Sequence, residues 1–189
     1  MLSPDEALER LRAGNARFVD STMRTIPMPP RSDEAVKKQT PFAIVIGCSD
    51  SRVPAEILFD QGIGDLFIVR VAGNVVTPTQ LGSVEFAVQQ FGTRLIVVLG
   101  HTHCGAVQAA LQAQDSPDGA LSPNLQAIVD CIAPAVAGAA DPIRANVMAS
   151  VARVQADSTV IAEQVAAGQV KVAGAEYCLQ SGEVTFLPA

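Results

Sequence analysis

Three short apolar runs rich in β-branched residues occur in the first half of the chain. They are "FAIVIG" (42–47), "DLFIVR" (65–70) and "RLIVVLG" (94–100). Runs of this length without polar alternation are typical of parallel strands that are buried on both faces. Helical patterns at 79–92 and 104–114 flank the third run. Strands that alternate with helices predict an α/β fold with a mainly parallel sheet flanked by helices.

The N-terminal segment has a different pattern, which predicts a helical arm. In "SPDEALERLRAGNARF" (3–18), Ser3 and Glu6 have the spacing of a capping box, and Pro4 suits the first helical turn. A proline-bearing connector, "TIPMPPRS" (25–32), follows. Because such an arm has little of its own to pack on, we expect it to dock on the core or on another subunit.

The C-terminal half is rich in alanine and predicts further helices and a hairpin. The helical segments lie at about 124–138, 143–156 and 158–167. Pro134 should kink or end the first of them, because proline lacks the amide hydrogen that a helix interior requires. The closing segment "VKVAGAEYCLQSGEVTFL" (170–187) predicts a C-terminal β-hairpin with Ser181 and Gly182 near its turn.

Length and composition indicate a single domain, 1–189, with an N-terminal arm and connector at 1–32 and an α/β core at 33–189. The formal net charge is −6 and there is no block of Lys or Arg, which argues against nucleic acid and anionic membranes as partners. No apolar run has membrane-spanning length. The first residues carry acids early and lack a basic-then-apolar signal pattern, so we predict a cytoplasmic protein.

Reactive side chains follow two of the predicted strands. Cys48, Asp50 and Arg52 come directly after the first strand, and His101 and Cys104 follow the third. In open α/β sheets, ligands bind at the carboxyl ends of the strands. If the two strands are neighbours, two thiols and one imidazole converge there. They would supply three of the four ligands of a tetrahedral zinc ion and leave one position open, as in catalytic zinc sites.

Other interpretations of the same residues stay open at this point. A single cysteine at the end of a strand is commonly a packed core thiol. A phosphatase-type phosphate loop is disfavoured, because only three residues separate Cys48 from Arg52 and too few backbone N–H groups are available to surround an anion. A Cys–His nucleophile pair is possible, but it assigns no role to Cys104 or Asp50. Neither Cys131 nor Cys178 has a histidine or acidic partner at ligand spacing.

The two clusters resemble the two signature stretches of the β-class carbonic anhydrases. "CSDSRV" matches the family pattern C-x-D-x-R, and "GHTHCGAV" matches H-x-x-C-G. The resemblance continues through "GDLFIVRVAGNVV", "LGSVEFAV" and "VAGAEYCLQSGEVTFL", so that it covers most of residues 3–187.

This resemblance implies one Zn²⁺ per subunit, bound by Cys48, His101 and Cys104. It implies that Asp50 and Arg52 form the catalytic dyad, with Asp50 as a fourth zinc ligand only in a closed state. The implied activity is zinc-dependent, reversible hydration of CO₂ to bicarbonate and a proton, through a zinc-bound hydroxide that the dyad orients. The implied partners are therefore CO₂ and bicarbonate.

The resemblance also implies a substrate pocket and an oligomer. The pocket positions are Gln39, Phe67, Phe86 and Gly105, and plant-type relatives have tyrosine where this chain has Phe86. In the family the pocket is built across a dimer interface, so we expect a homodimer or a tetramer.

Four further residues near the motifs are expected to have mainly structural roles. His103 lies between two ligand positions, where the family is variable, and we expect a residue on the surface or behind the ligands there. A proton-shuttling role is the alternative, because an imidazole titrates near neutrality. Arg70, Gly73 and Asn74 in "VRVAGN" are expected to shape the loop over the site.

Two alternative functions use the same residues. The first is hydrolysis of a CO₂ analogue, carbonyl sulfide or carbon disulfide. The second is a weakly active zinc protein that acts as a bicarbonate sensor or a scaffold, although such a protein needs neither Asp50 nor Arg52. Bicarbonate-regulated members carry tryptophan at the position of Val45, and this chain has no tryptophan, which favours an unregulated site.

Overall fold

The computed structural model describes residues 2–25, 36–115 and 121–188, so most of the predicted connector lies outside the described residues. The described residues form one sheet with the strand order β2-β1-β3-β4-β5. The first four strands are parallel, and β5 pairs antiparallel with β4 as the predicted hairpin. The strands are β1 (Ala43–Gly47), β2 (Leu66–Arg70), β3 (Leu95–His101), β4 (Lys171–Tyr177) and β5 (Val184–Phe186). The predicted α/β fold with a mainly parallel sheet is confirmed.

Helices lie close to the predicted positions, and a short one after the first strand was not predicted. They are α1 (Pro4–Val19), α2 (Ala55–Leu58), α3 (Pro78–Phe91), α4 (Gly105–Asp115), α5 (Pro123–Val136), α6 (Pro142–Ala156) and α7 (Thr159–Ala166). A 3₁₀ turn occupies Ala72–Asn74. None of the described helices is long and apolar enough to cross a membrane.

Of the two outcomes predicted for Pro134, a kink or an end of the helix, the end is wrong. The helix continues through this residue and ends two residues later, at Val136. A proline in the last turn removes only one intrahelical hydrogen bond. The side chains of Ile132 and Val136 are buried. Burial of this face in the core that α5 shares with α4 stabilises the last turn more than the missing bond destabilises it.

The core has one apolar cluster on each face of the sheet, as alternation along the strands requires. Val45 and Val97 point to the face covered by α1 and α2, whereas Ile44 and Ile96 point to the face covered by α3, α6 and α7. β1 and β3 are buried along their full length. β2 is only partly buried because it is an edge strand, so the prediction of burial on both faces is right for β1 and β3 alone.

The N-terminal helix packs on its own chain. Leu8 and Leu11 of α1 are buried in the cluster on one face of the sheet. Asn15 donates to the carbonyl oxygens of Leu58 and Gly182, at 3.1 and 3.0 Å. Of the two docking alternatives for α1, the structure therefore shows docking on the core.

Asp60 connects α1 and the segment after it to the body of the protein. Its side chain is fully buried, and it accepts hydrogen bonds from Arg17 Nε at 2.5 Å and from Arg24 Nε at 2.9 Å. Burial by itself would raise the pKa of Asp60, but the hydrogen bonds from the two arginines lower it below the usual value. The carboxylate is therefore charged in the folded protein at neutral pH.

We predict that Asp60→Asn lowers the free energy of unfolding by about 1–3 kcal/mol at pH 7, because it removes charge-assisted hydrogen bonds at a buried position. Asparagine tolerates the positive φ of 47° at this position. Since the folded-state pKa is depressed, the stabilisation is present above the normal carboxyl pKa of about 4 and is lost as the pH falls below it. Urea unfolding of both proteins at several pH values measures this.

The matched control is Asp157→Asn. Asp157 pairs with Arg153 at 3.5 Å on the surface, with about half of each side chain exposed. This variant should change stability by less than about 0.5 kcal/mol. Equal effects of the two substitutions, or an Asp60→Asn effect that persists unchanged in acid, would contradict the prediction.

Candidate metal centre

Cys48, His101 and Cys104 form one compact cluster at the carboxyl ends of β1 and β3. The strands pair in parallel with Gly47 opposite Leu99, so the residue after β1 lies beside the end of β3. The two sulfur atoms are 4.0 Å apart, and the ligand atoms of all three residues lie within 4.8 Å of one another. All three side chains are buried. The strand pairing required for this convergence is therefore present.

The donor set and its geometry fit a zinc ion. Zinc–sulfur bonds of about 2.3 Å in a tetrahedral site place two sulfurs about 3.8 Å apart, close to the observed separation. His101 Nδ1 lies 2.9 Å from the carbonyl oxygen of Thr102. With Nδ1 donating to that carbonyl, Nε2 keeps a free lone pair. Nε2 is buried and has no hydrogen-bond partner among the described residues. A buried acceptor without a partner is costly, and a metal ion would satisfy it.

The surroundings of the two sulfur atoms stabilise negative charge. Gly73 donates its backbone N–H to Cys48 Sγ at 3.3 Å, and the N–H groups of Ala106 and Val107 at the start of α4 face Cys104. A hydrogen bond from the Cys104 thiol lowers the pKa of Cys48 and in turn raises the pKa of Cys104. The pair therefore shares one proton readily, and binding of a divalent cation would release it.

Asp50 and Arg52 form a two-point ion pair beside the cluster. Arg52 Nε donates to Asp50 Oδ1 at 2.9 Å and Arg52 Nη2 to Oδ2 at 2.7 Å. The hydrogen bonds from Arg52 hold the pKa of Asp50 well below its usual range, although burial acts in the opposite direction. Asp50 Oδ2 is 4.0 Å from His101 Nε2. An ionised carboxylate is thus held next to the candidate metal position.

Arg70 holds the loop that carries this dyad. From the end of β2, its Nε donates to the carbonyl oxygen of Cys48 at 2.9 Å, and its Nη2 donates to that of Asp50 at 2.5 Å. These bonds fix the backbone on both sides of Ser49. The expected role of Arg70 in shaping the loop agrees with these contacts.

The predicted pocket residues fall into two groups. Gly105 directly follows Cys104 at the start of α4. Phe67 and Phe86 instead pack around Phe91, with ring centroids at 6.1 and 5.5 Å from it. Gln39 lines a surface cavity together with Phe91. Gln39 precedes β1 and Cys48 follows it, so this strand separates them by about 16 Å. A single chain does not bring Gln39 to the cluster.

His103 is exposed and adopts a positive φ of 56°. Its surface position agrees with the expectation. The preceding residue, Thr102, is tied to the end of β4, since its N–H donates to the carbonyl of Tyr177 and its Oγ1 accepts from Leu179 N at 3.0 Å. The turn between the two ligand positions is thereby held by the C-terminal hairpin.

Two residues near the site, Asn146 and Ser150, are not among the predicted site residues. Both are buried on α6 and hydrogen-bond the carbonyl groups of the Gly73–Asn74 turn. A signal was available, because they are polar residues at i,i+4 spacing on the helix face that carries Val147, Val151 and Val154. Polar residues on such a face indicate a buried hydrogen-bonding requirement.

Comparison with known proteins identifies the family. The family model described as carbonic anhydrase matches residues 43–184. A carbonic anhydrase of Mycolicibacterium smegmatis is 43% identical, and the alignment covers 96% of this chain and 92% of that protein.

Solved structures show the same relationship. The β-carbonic anhydrase of Coccomyxa, determined in complex with acetazolamide, aligns with a TM-score of 0.70 at 28% identity, over 99% of this chain and 86% of that one. A β-carbonic anhydrase of Sordaria macrospora, described as tetrameric, aligns with a TM-score of 0.71 at 25% identity, over 82% of this chain and 85% of that one. Family model, sequence relatives and fold agree, and the chain therefore belongs to the β-carbonic anhydrase family.

Proposed function

We propose that this protein is a zinc enzyme that catalyses the reversible hydration of CO₂ to bicarbonate and a proton. The observation that carries the proposal is the convergence of two thiols and one imidazole with an ionised carboxylate beside them. The ligand atoms lie within 4.8 Å of one another, and Asp50 Oδ2 lies 4.0 Å from the imidazole nitrogen. The family membership supports the same activity.

In this proposal Cys48, His101 and Cys104 hold the zinc ion. Zinc with three protein ligands and an open position lowers the pKa of its bound water and so supplies a nucleophile near neutral pH. The N–H groups that face the two sulfurs would stabilise the thiolate form that both cysteines take when the metal binds. The Thr102 carbonyl fixes the tautomer and the orientation of the His101 ring.

Asp50 acts as the hydrogen-bond acceptor that orients the attacking group toward CO₂. An acceptor must be charged and fixed in direction to do this. The two hydrogen bonds from Arg52 supply the charge state and one constraint on direction. The backbone contacts of Arg70 supply a second constraint on the direction of the carboxylate, because they hold the loop on which Asp50 lies. A scaffold or sensor protein would need neither constraint.

We further propose that a second copy of the chain completes the substrate pocket. Gln39, Phe67 and Phe86 lie around Phe91 and are not part of the ligand cluster of their own chain, and Phe86 is half exposed. Apposition of this aromatic surface with the metal centre of another copy would bring the two parts together. This supports the homodimer or tetramer that the family resemblance implies.

The first test is Cys104→Ser. Replacing one thiolate by a hydroxyl removes a strong zinc ligand, so we expect stoichiometric zinc in the wild type and loss of both zinc and CO₂ hydration in the variant. Metal analysis and stopped-flow hydration assays measure these. Cys131→Ser, which changes a partly buried thiol outside the ligand cluster, should retain both. Faster turnover of carbonyl sulfide or carbon disulfide than of CO₂ would favour the analogue hydrolase instead.

The second test separates Asp50 from metal binding. Asp50→Asn should retain zinc but lower kcat/KM by about 100- to 10,000-fold, the range for loss of a positioned acid–base side chain. The kcat/KM of Arg52→Lys should lie between those of Asp50→Asn and the wild type, since lysine keeps the charge but not the two-point contact with Asp50. Asp157→Asn is the surface control. Wild-type kinetics in Asp50→Asn would refute its role.

The third test concerns the shared pocket and uses mixed subunits. Gln39→Ala and Asp50→Asn should each lower activity when prepared alone. If each pocket combines Gln39 of one copy with Asp50 of another, random mixing into dimers restores about a quarter of the sites. Reassembling the two variants from dissociated chains and assaying the mixture measures this. Activity no higher than the mean of the separate variants would show that the two residues do not act across copies.

A further inference from the structure

We propose that Asn146 and Ser150 of α6 are positioning residues for the metal centre, acting through the Gly73–Asn74 turn on the sulfur of Cys48. The inference rests on the zinc site proposed above. Neither side chain contacts the cluster directly. Their effect passes through one backbone N–H, which Gly73 directs at Cys48 Sγ from 3.3 Å.

The turn needs external support because of its backbone conformation. Gly73 has a φ of 70° and Asn74 a φ of 46°. Two successive residues in the left-handed region are costly when one of them is not glycine. Only the N–H of Asn74 has a partner inside the turn, the carbonyl of Val71 at 3.1 Å. The carbonyl groups of Gly73 and Asn74 must find partners elsewhere.

Helix α6 supplies those partners. Asn146 Nδ2 donates to the Gly73 carbonyl at 2.9 Å, and Ser150 Oγ donates to the Asn74 carbonyl at 3.2 Å. Both side chains are at least 95% buried. Burial of an amide and a hydroxyl on an otherwise apolar helix face is unfavourable unless each group is hydrogen-bonded. Their two bonds to consecutive carbonyls explain why polar residues occupy these positions.

Close packing prevents the turn from moving independently. A Cβ atom added to Gly73 would lie 2.6 Å from Ile132 Cδ1 and 3.0 Å from the Cβ of Ala106. The turn is thus enclosed by α5 and α4 on one side and tethered to α6 on the other. α6 itself lies close to β3, since a Cβ added to Gly100 would lie 2.4 Å from Val147 Cγ2. The hydrogen bonds from α6, together with this packing, therefore restrain the turn that directs the Gly73 N–H at Cys48.

An N–H group that points at a thiolate does two things to a metal ligand. It stabilises the charge on the sulfur, and it fixes the position of the sulfur before the metal binds. Loss of hydrogen-bonded support behind a ligand typically weakens metal binding by 10- to 100-fold. A hydrogen bond to sulfur also lowers the energy of its lone pairs, so removal of the bond moves sulfur-to-metal charge transfer to longer wavelength.

The test compares three α6 variants of the full-length protein. Asn146→Leu replaces the amide by an apolar group of similar size, and Ser150→Ala deletes one hydroxyl. Val154→Ala is the matched control. Val154 is also fully buried on α6, but it packs in the apolar cluster between the sheet and α3, α6 and α7 and not against the Gly73–Asn74 turn. The measurements are zinc affinity by chelator competition, the charge-transfer band of the cobalt(II)-substituted protein, and urea unfolding of the metal-free protein.

We expect Asn146→Leu to weaken zinc binding by about 10-fold or more and to move the cobalt charge-transfer band to longer wavelength. Ser150→Ala should change zinc affinity and the cobalt band in the same direction, but by less. Val154→Ala should lower the stability of the metal-free protein and leave both metal readouts unchanged. If Asn146 and Ser150 had a purely structural role, all three variants would lower the stability of the metal-free protein and leave zinc affinity and the cobalt band unchanged.

Unchanged zinc affinity and an unmoved band in Asn146→Leu would overturn the inference. If Asn146→Leu does not fold, Ser150→Ala alone is the test, and an unmoved cobalt band in that variant would also overturn the inference. Failure of the proposed zinc site looks different, because wild-type protein would then bind neither zinc nor cobalt at the cluster. Failure of the proposed activity alone would remove CO₂ hydration and leave the metal measurements intact.

Discussion

The parallel pairing of β1 and β3 is the constraint on which the site depends. It places two sulfur atoms and an imidazole nitrogen within 4.8 Å of one another in a buried position. Two thiols whose sulfur atoms lie 4.0 Å apart cannot both ionise easily without a cation, because the two negative charges repel each other. The buried nitrogen of His101 has no partner among the described residues. A divalent metal would neutralise the two thiolates and bind the free nitrogen, so the buried cluster is most stable with the proposed cofactor bound.

Much of the surrounding structure restricts the movement of the groups at this point. Arg70 holds the loop that carries Asp50, and the C-terminal hairpin holds the turn before Cys104. Asn146 and Ser150 hold the turn that faces Cys48. These supports come from different elements, yet each ends beside a ligand or a member of the dyad. The precision of the site is therefore a property of the packed domain and not of the two motifs alone.

The same geometry shows what one chain does not assemble. Gln39, Phe67 and Phe86 share the surroundings of Phe91, and the length of β1 separates Gln39 from the metal centre. The family resemblance predicts these residues for the substrate pocket. Their position around Phe91 and their predicted place in the substrate pocket are compatible if the pocket forms between two copies of the chain. Motif spacing within one chain carries no signal of such a contact. The fold of one chain and the proposed oligomer would thus contribute different parts of the site.

The sequence by itself determined the strands, most of the helices and the positions of the reactive residues at strand ends. Hydrophobic period, caps and motif spacing are local properties, and β-branched runs such as 42–47 have few alternatives. Tertiary structure alone decided that α5 continues past Pro134, that α1 docks on its own core, and that Asn146 meets Gly73. The last contact joins residues separated by 73 positions. Such contacts depend on how helices pack against a sheet, and a local pattern does not encode that packing.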